Sequence, residues 1–137
     1  MKRIVATIGL CVAISCAGVP RAAASPDQDD WVSIAISPQR TTAAFGASNN
    51  RDRAIQIAMD ECTQRSHGTR CVDVQTTQYG CVGFALDKAS QSWAGGIGRD
   101  KDSAVRDAIS RLAVSGYAYS DESGAAGAQC SSPVTPP

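Results

Sequence analysis

Sliding the chain along itself by 50 residues gives an ungapped correspondence, and this internal repeat restricts the fold more than any other feature of the sequence. Trp31-Val-Ser-Ile-Ala-Ile lies over Cys81-Val-Gly-Phe-Ala-Leu. Ala44-Phe-Gly46 lies over Ala94-Gly-Gly96, Asp52-Arg-Ala54-Ile55 over Asp102-Ser-Ala104-Val105, and Ala58-Met59 over Ala108-Ile109. Only 7 of 32 pairs between Trp31–Cys62 and Cys81–Leu112 are identical, so the correspondence is one of pattern rather than identity. The apolar positions, the glycine and the helix start all coincide without a gap.

Each unit reads as ββα. Val32, Ile34 and Ile36 alternate with small residues, as do Val82, Phe84 and Leu86, which suits strands with one buried face. Polar turns at Ser37-Pro38-Gln39-Arg40 and Asp87-Lys88-Ala89-Ser90 lead to second strands at 42–48 and 92–98. Asn50 and Asp100 then stand where a helix needs an acceptor for its free N–H groups. Ala54, Ile55, Ala58, Met59 and Cys62 share one helical face, as do Ala104, Val105, Ala108, Ile109 and Leu112. The opposite faces, with Arg51, Arg53, Asp60, Lys101, Arg106, Asp107 and Arg111, read as solvated. Cys71-Val-Asp-Val-Gln-Thr reads as a strand after the first helix. After the second helix only Ala128-Gln129-Cys130 looks like a closing strand. The expected fold is α+β: two ββα pseudo-repeats (31–80 and 81–130) forming a mainly antiparallel sheet with two helices on one face.

Residues 1–24 read as a signal peptide outside that fold. Met1-Lys2-Arg3 is a positive n-region, Ile4 to Val19 is apolar but short for a membrane span, and Ala22-Ala23-Ala24 offers a cleavage site. An uncleaved anchor is the competing reading. A lipid anchor at Cys16 is another, because Ala13-Ile14-Ser15-Cys16 loosely resembles a lipobox. Residues 25–30 read as a linker and 131–137 as a disordered tail. Cleavage removes three basic residues and no acidic one, which turns 13 of each into 10 basic against 13 acidic groups. That balance argues against nucleic acid, whose binders need a basic excess. It also leaves four cysteines, Cys62, Cys71, Cys81 and Cys130, and an even number in a short exported chain reads as disulfides.

Four cysteines allow three pairings. The preferred one is Cys62–Cys71 with Cys81–Cys130. Cys62 ends the first helix and Cys71 opens the next strand, so one bridge clips that helix to its own unit. The other bridge ties the start of the second unit to the end of the chain. The spacings are not those of C-x-x-C pairs, which argues against a zinc site and a redox-active dithiol.

Several of these motifs together resemble the small secreted proteins of actinobacteria, mycobacteria in particular, grouped as domain of unknown function 4189. The matching elements are Trp31–Ser37, Gly46, the Arg51 to Cys62 helix, Cys71-Val-Asp-Val and Cys81-Val-Gly-Phe-Ala, over about residues 31–130. The chain departs from the family pattern at its end, where Ser115–Gln129 is longer and more polar. The resemblance implies an exported protein of unsettled role, considered in host interaction, with no catalytic residues to carry over.

Few residue patterns point to chemistry. His67 is the single histidine, in Ser66-His67-Gly68, and reads as a surface residue with no G-x-S-x-G partner. Gly95-Gly96-Ile97-Gly98 lacks the phosphate-binding signatures, and a close strand crossing explains it better. Asp29-Asp30, Asp60-Glu61 and Asp121-Glu122 are adjacent pairs whose side chains point apart. Trp31 and Trp93 read as packing residues, and Tyr117 and Tyr119 as the better contact candidates. The sequence thus predicts no catalytic residue, cofactor or metal, and a non-enzymatic role in protein interaction at the envelope or host interface. The alternative is a small inhibitor of an extracellular enzyme using a rigid loop such as 115–128.

Overall fold

A computed structural model describes residues 28–122 and 124–132. The expected signal segment, with Cys11 and Cys16, and the end of the expected tail, 133–137, lie outside the described residues. The chain order is β1 (Trp31–Ser37), a 3-10 turn (Pro38–Arg40), β2 (Thr42–Ser48), α1 (Arg51–Arg65) and β3 (Val72–Gln78). Then follow β4 (Cys81–Asp87), β5 (Ser92–Gly98), α2 (Lys101–Val114) and β6 (Gly124–Cys130).

The helices start where the sequence places their caps. The Asn50 side chain accepts from the Arg53 N–H at 3.0 Å. The Asp100 carboxylate accepts from the Ser103 N–H at 2.7 Å, and the Ser103 hydroxyl closes a capping box on the Asp100 N–H. The hairpins also match. β1 pairs with β2 from Trp31↔Ser48 to Ser37↔Thr42, and β4 with β5 from Cys81↔Gly98 to Asp87↔Ser92, the same register shifted by 50. Thr41 and Gln91, at equivalent turn positions, are both left-handed, with φ of 49° and 56°.

The α+β class, the two ββα-like units and the antiparallel pairing are as expected, but the strands do not form one sheet. They form two three-stranded sheets, ordered β2-β1-β3 and β5-β4-β6. The reason lies at Tyr79-Gly80. Two residues between antiparallel strands would ordinarily close a hairpin, with positive φ at both in a type I′ turn or at the first alone in a type II′ turn, so it is the bonding that decides. Here only Tyr79 has positive φ, 52°. Its N–H donates to the Asp30 carbonyl, ahead of β1, at 2.9 Å. The chain therefore turns a corner from one sheet into the other. The far end of the domain locks that corner, since the Ser131 N–H donates to the Gly80 carbonyl at 2.8 Å.

The result is four layers, helix, sheet, sheet, helix. Val32, Ile34 and Ile36 of β1 meet Val82 and Leu86 of β4 in the central core, flanked by Ala43, Phe45, Val74 and Phe84. The Phe45 and Phe84 rings lie 6.1 Å apart and tilted by 49°, a favourable aromatic geometry. The other face of each sheet is built of small residues and carries its own helix. Ala35 and Ala44 pack under Ala58 and Cys62. Ala85 and Ala94 pack under Ala108 and Leu112. β1 is thus buried on both faces, not on the one that alternation suggested. Each fully buried Val, Ile or Leu of the central core contributes about 1.5–3 kcal/mol, most of which offsets chain entropy.

Gly46 and Gly96, 50 residues apart, let the helices lie this close. A Cβ on Gly46 would collide with the Ala54 carbonyl oxygen and the Ala58 nitrogen. A Cβ on Gly96 would collide with the Ala104 carbonyl oxygen and the Ala108 nitrogen. The glycine run before α2 thus serves a close approach of helix to strand.

Candidate functional site

The exposed aromatic and apolar side chains are the features most suggestive of recognition. Trp93 and Ile97 are 36% and 37% exposed. Both lie on the β5 face that looks toward the other sheet, on either side of Gly95. A Cβ on Gly95 would strike the Val74 side chain, so Val74 occupies that gap and leaves its two neighbours at the rim. Val74 is the extra residue of β3, where the pairing with β1 shifts between Ile34 and Ala35. Trp93 was expected to be a packing residue. It is instead part of an exposed apolar strip, because its cross-strand partner Leu86 fills the core without it.

The tyrosines separate. Tyr117 is 42% exposed. Tyr119 packs against the cluster formed by Ala85, Ala94, Ala108 and Leu112 and covers Gly124. Burial, then the negative charge of Asp121 and a hydrogen bond to it, raises the Tyr119 phenol above its ordinary value. Tyr79, at the corner between the sheets, is 42% exposed. The loop offered for an inhibitor shrinks, since β6 takes residues 124–130 and, among the described residues, leaves 115–122 between α2 and β6. Sequence missed the start of β6 because Gly124-Ala-Ala-Gly-Ala carries no branched or aromatic residue. Its cue was spatial: Gly127 lies against the Phe84 ring, with a Cβ position 3.0 Å from Phe84 Cε1.

The candidate chemical groups stay apart. His67 is exposed in the turn after α1, at φ 54°. Asp30 accepts from the Gln78 side-chain amide at 2.9 Å, and Glu61 pairs with Arg65 at 2.9 Å. An open recess of about 260 Å³ is lined by Pro38, Gln39, Arg70 and Val72. Among the described residues no group of three or more His, Cys, Asp or Glu side chains is placed to hold a metal ion.

One residue read as part of a solvated face has a structural task. Asp107 on α2 accepts the Ile97 N–H at 2.9 Å while pairing with Arg111 at 3.1 Å. β5 is an edge strand, and this carboxylate occupies one of its outward backbone donors. Periodicity along α2 could not show this, because the partner is a backbone group of another element.

The disulfides join Cys62 to Cys71 and Cys81 to Cys130. Cys81 and Cys130 stand directly opposite each other on β4 and β6. Each bridge lies within one unit. Two such bridges point to an oxidising, extracytoplasmic environment. Among the described residues no helix is long and apolar enough to cross a membrane.

These features define a class: a small, disulfide-stapled α+β domain of two ββα-like units in four layers. The chain belongs to the family described as Domain of unknown function (DUF4189), whose model matches residues 31–132. No curated protein and no solved structure matches the chain.

Proposed function

We propose that this is an exported actinobacterial protein that acts outside the cytoplasm by binding another protein, without catalysing a reaction, at the envelope or host interface. The observation that carries this reading is the pair Trp93 and Ile97, both exposed on the same face of one strand, on either side of Gly95, in a doubly stapled scaffold. Exposed Trp in a rigid setting is the residue type that most often anchors an interface, since its area is presented at little cost in side-chain entropy. The acidic balance left by removal of residues 1–24 fits a protein partner better than nucleic acid. Cleavage there would also leave no stable membrane insertion, unless a lipid is attached at Cys16.

The test uses the oxidised protein as bait in envelope and host lysates, with a W93A/I97S variant beside it. A partner retained by the wild type and lost by the variant supports the reading. Equal recovery by both contradicts it. An inhibitor reading is favoured by a one-to-one complex with an extracellular hydrolase that survives W93A/I97S and is lost on changing residues 115–122. An activity lost on His67→Ala would instead revive an enzyme.

A further inference from the structure

We infer that the exposed edge of β2 is a self-association surface, on which a second copy of this chain adds its own β2 antiparallel to form a six-stranded sheet.

β2 and β5 are the equivalent edge strands of the two sheets. In an antiparallel ladder, alternate residues direct both backbone groups to the same side. The Ile97 N–H reaches Asp107, so the backbone groups of Trp93, Gly95 and Ile97 face out from β5. The β1–β2 register is the β4–β5 register shifted by 50, so those of Ala43, Phe45 and Ala47 face out from β2. On β5 one outward donor is taken by Asp107. The position equivalent to Asp107 on α1 is Ile57, which has no acceptor to offer and lies against Gly46. Thr42-Ala-Ala-Phe-Gly-Ala-Ser48 has no charge, no proline and no register shift with β1. It therefore lacks the charge, proline and bulge that keep many edge strands apart, and the Ile57 side chain beside it is apolar. The edge of β3, by contrast, carries Asp73 and a bulge.

A second copy fits this edge better than a foreign strand because α1 is self-complementary about it. α1 lies across β1 and β2, with Gly46 beneath the Ala54–Ala58 turn. Pairing β2 with its copy at about 4.8 Å would bring the two α1 helices to roughly 10 Å, an ordinary helix-packing distance. A two-fold axis near Gly46 then sets Ile57 against Ile57 of the second copy. It also brings Arg53 toward Asp60 of the second copy; both are exposed and of opposite charge. The symmetric, isologous arrangement closes on itself and leaves no free β2 edge.

The test is sedimentation of the protein expressed as the full chain with its own first 24 residues and purified oxidised. The wild type should show a monomer–dimer equilibrium with a midpoint in the micromolar range, on the order of 10 μM. Ile57→Asp, which restores the Asp107-type guard, should weaken dimerisation at least about 100-fold. Arg53→Asp, at an exposed position, should weaken it about 10-fold, and R53D/D60R should recover it. A wild type that stays monomeric to about 1 mM overturns the inference. So does a dimer that I57D and R53D leave intact. Trp93 and Ile97 play no part in this equilibrium, so W93A/I97S should dimerise as the wild type does and the two proposals fail separately.

Discussion

Substituting Gly96 by alanine tests the packing of helix on sheet with a single methyl group. The new Cβ would fall far inside the 3.0 Å that real Cβ atoms keep, against the Ala104 carbonyl oxygen and the Ala108 nitrogen. Both are backbone atoms of α2, so no side chain can rotate away. The helix must retreat by roughly 1 Å, which forfeits a quarter to a half of the dispersion energy at each contact. The contacts at stake include Ala104, Ala108 and Leu112, all fully buried. Overpacking of this kind costs about 1–3 kcal/mol, and more where backbone must move. Loss of glycine freedom in the unfolded chain returns about 0.4–1 kcal/mol. A net destabilisation of about 2 kcal/mol follows for Gly96→Ala, and the same for Gly46→Ala by the equivalent collision on α1. Gly127→Ala is the control, because its Cβ would meet only the edge of the Phe84 ring, at 3.0 Å, and the ring can shift. It should change stability by less than about 0.5 kcal/mol. Urea unfolding measures all three, and at a slope of about 2 kcal/mol per molar the glycine-to-alanine variants at 46 and 96 should lose about 1 M in midpoint. A wild-type midpoint for Gly96→Ala, or a larger loss for Gly127→Ala, would refute the reasoning.

Replacing Cys81 and Cys130 together by serine should cost about 4 kcal/mol on the loop-entropy model and replacing Cys62 and Cys71 about 2.6, since the sequence separations are 49 and 9; thermal unfolding should rank them in that order. The Asp100 carboxyl is held below its ordinary value by the Ser103 N–H and then the Ser103 hydroxyl, and Asp87 by the Ser90 hydroxyl first. Both are depressed in the folded state, so their contribution is present above pH 3.8 and is lost as the pH falls through the lower folded values. A D87A/D100A variant should show a lower melting temperature at neutral pH and a shallower fall on acidification below pH 4. Tyr119 is raised above 10.0, so its contribution is present below that pH and is lost as the pH rises through the folded value. Spectrophotometric titration of the folded protein should show a late tyrosine ionisation that Tyr119→Phe removes.

Local structure was legible because local chemistry dictates it. The strands at 42–48 and 92–98, the caps Asn50 and Asp100 and the buried faces of both helices are where short-range pattern places them. What depends on contact between distant residues was not. Nothing in Tyr79-Gly80 distinguishes a hairpin from a corner, because the decision rests on the bonds from Tyr79 to Asp30 and from Ser131 to Gly80. β6 was visible only at its last three residues, since a strand of glycine and alanine has no period of its own. The exposure of Trp93 follows from Val74, nineteen positions earlier in the chain, filling the space over Gly95. Asp107 looked like any helix-surface charge until β5 placed a backbone donor beside it.

Each ββα-like unit is closed by its own disulfide and meets the other through sheet packing, the corner at 79–80 and the backbone bonds of Ser131 to Gly80 and Ser132 to Asp29. Disulfide mapping of the unreduced protein by mass spectrometry tests this most directly. Trypsin cuts at Arg65 and Arg70 but leaves Cys71 and Cys81 on one peptide, so a second cleavage after Tyr79 is needed. One peptide pair should be joined through Cys62 and Cys71 and another through Cys81 and Cys130. Any bridge from Cys62 or Cys71 to Cys81 or Cys130 would contradict it.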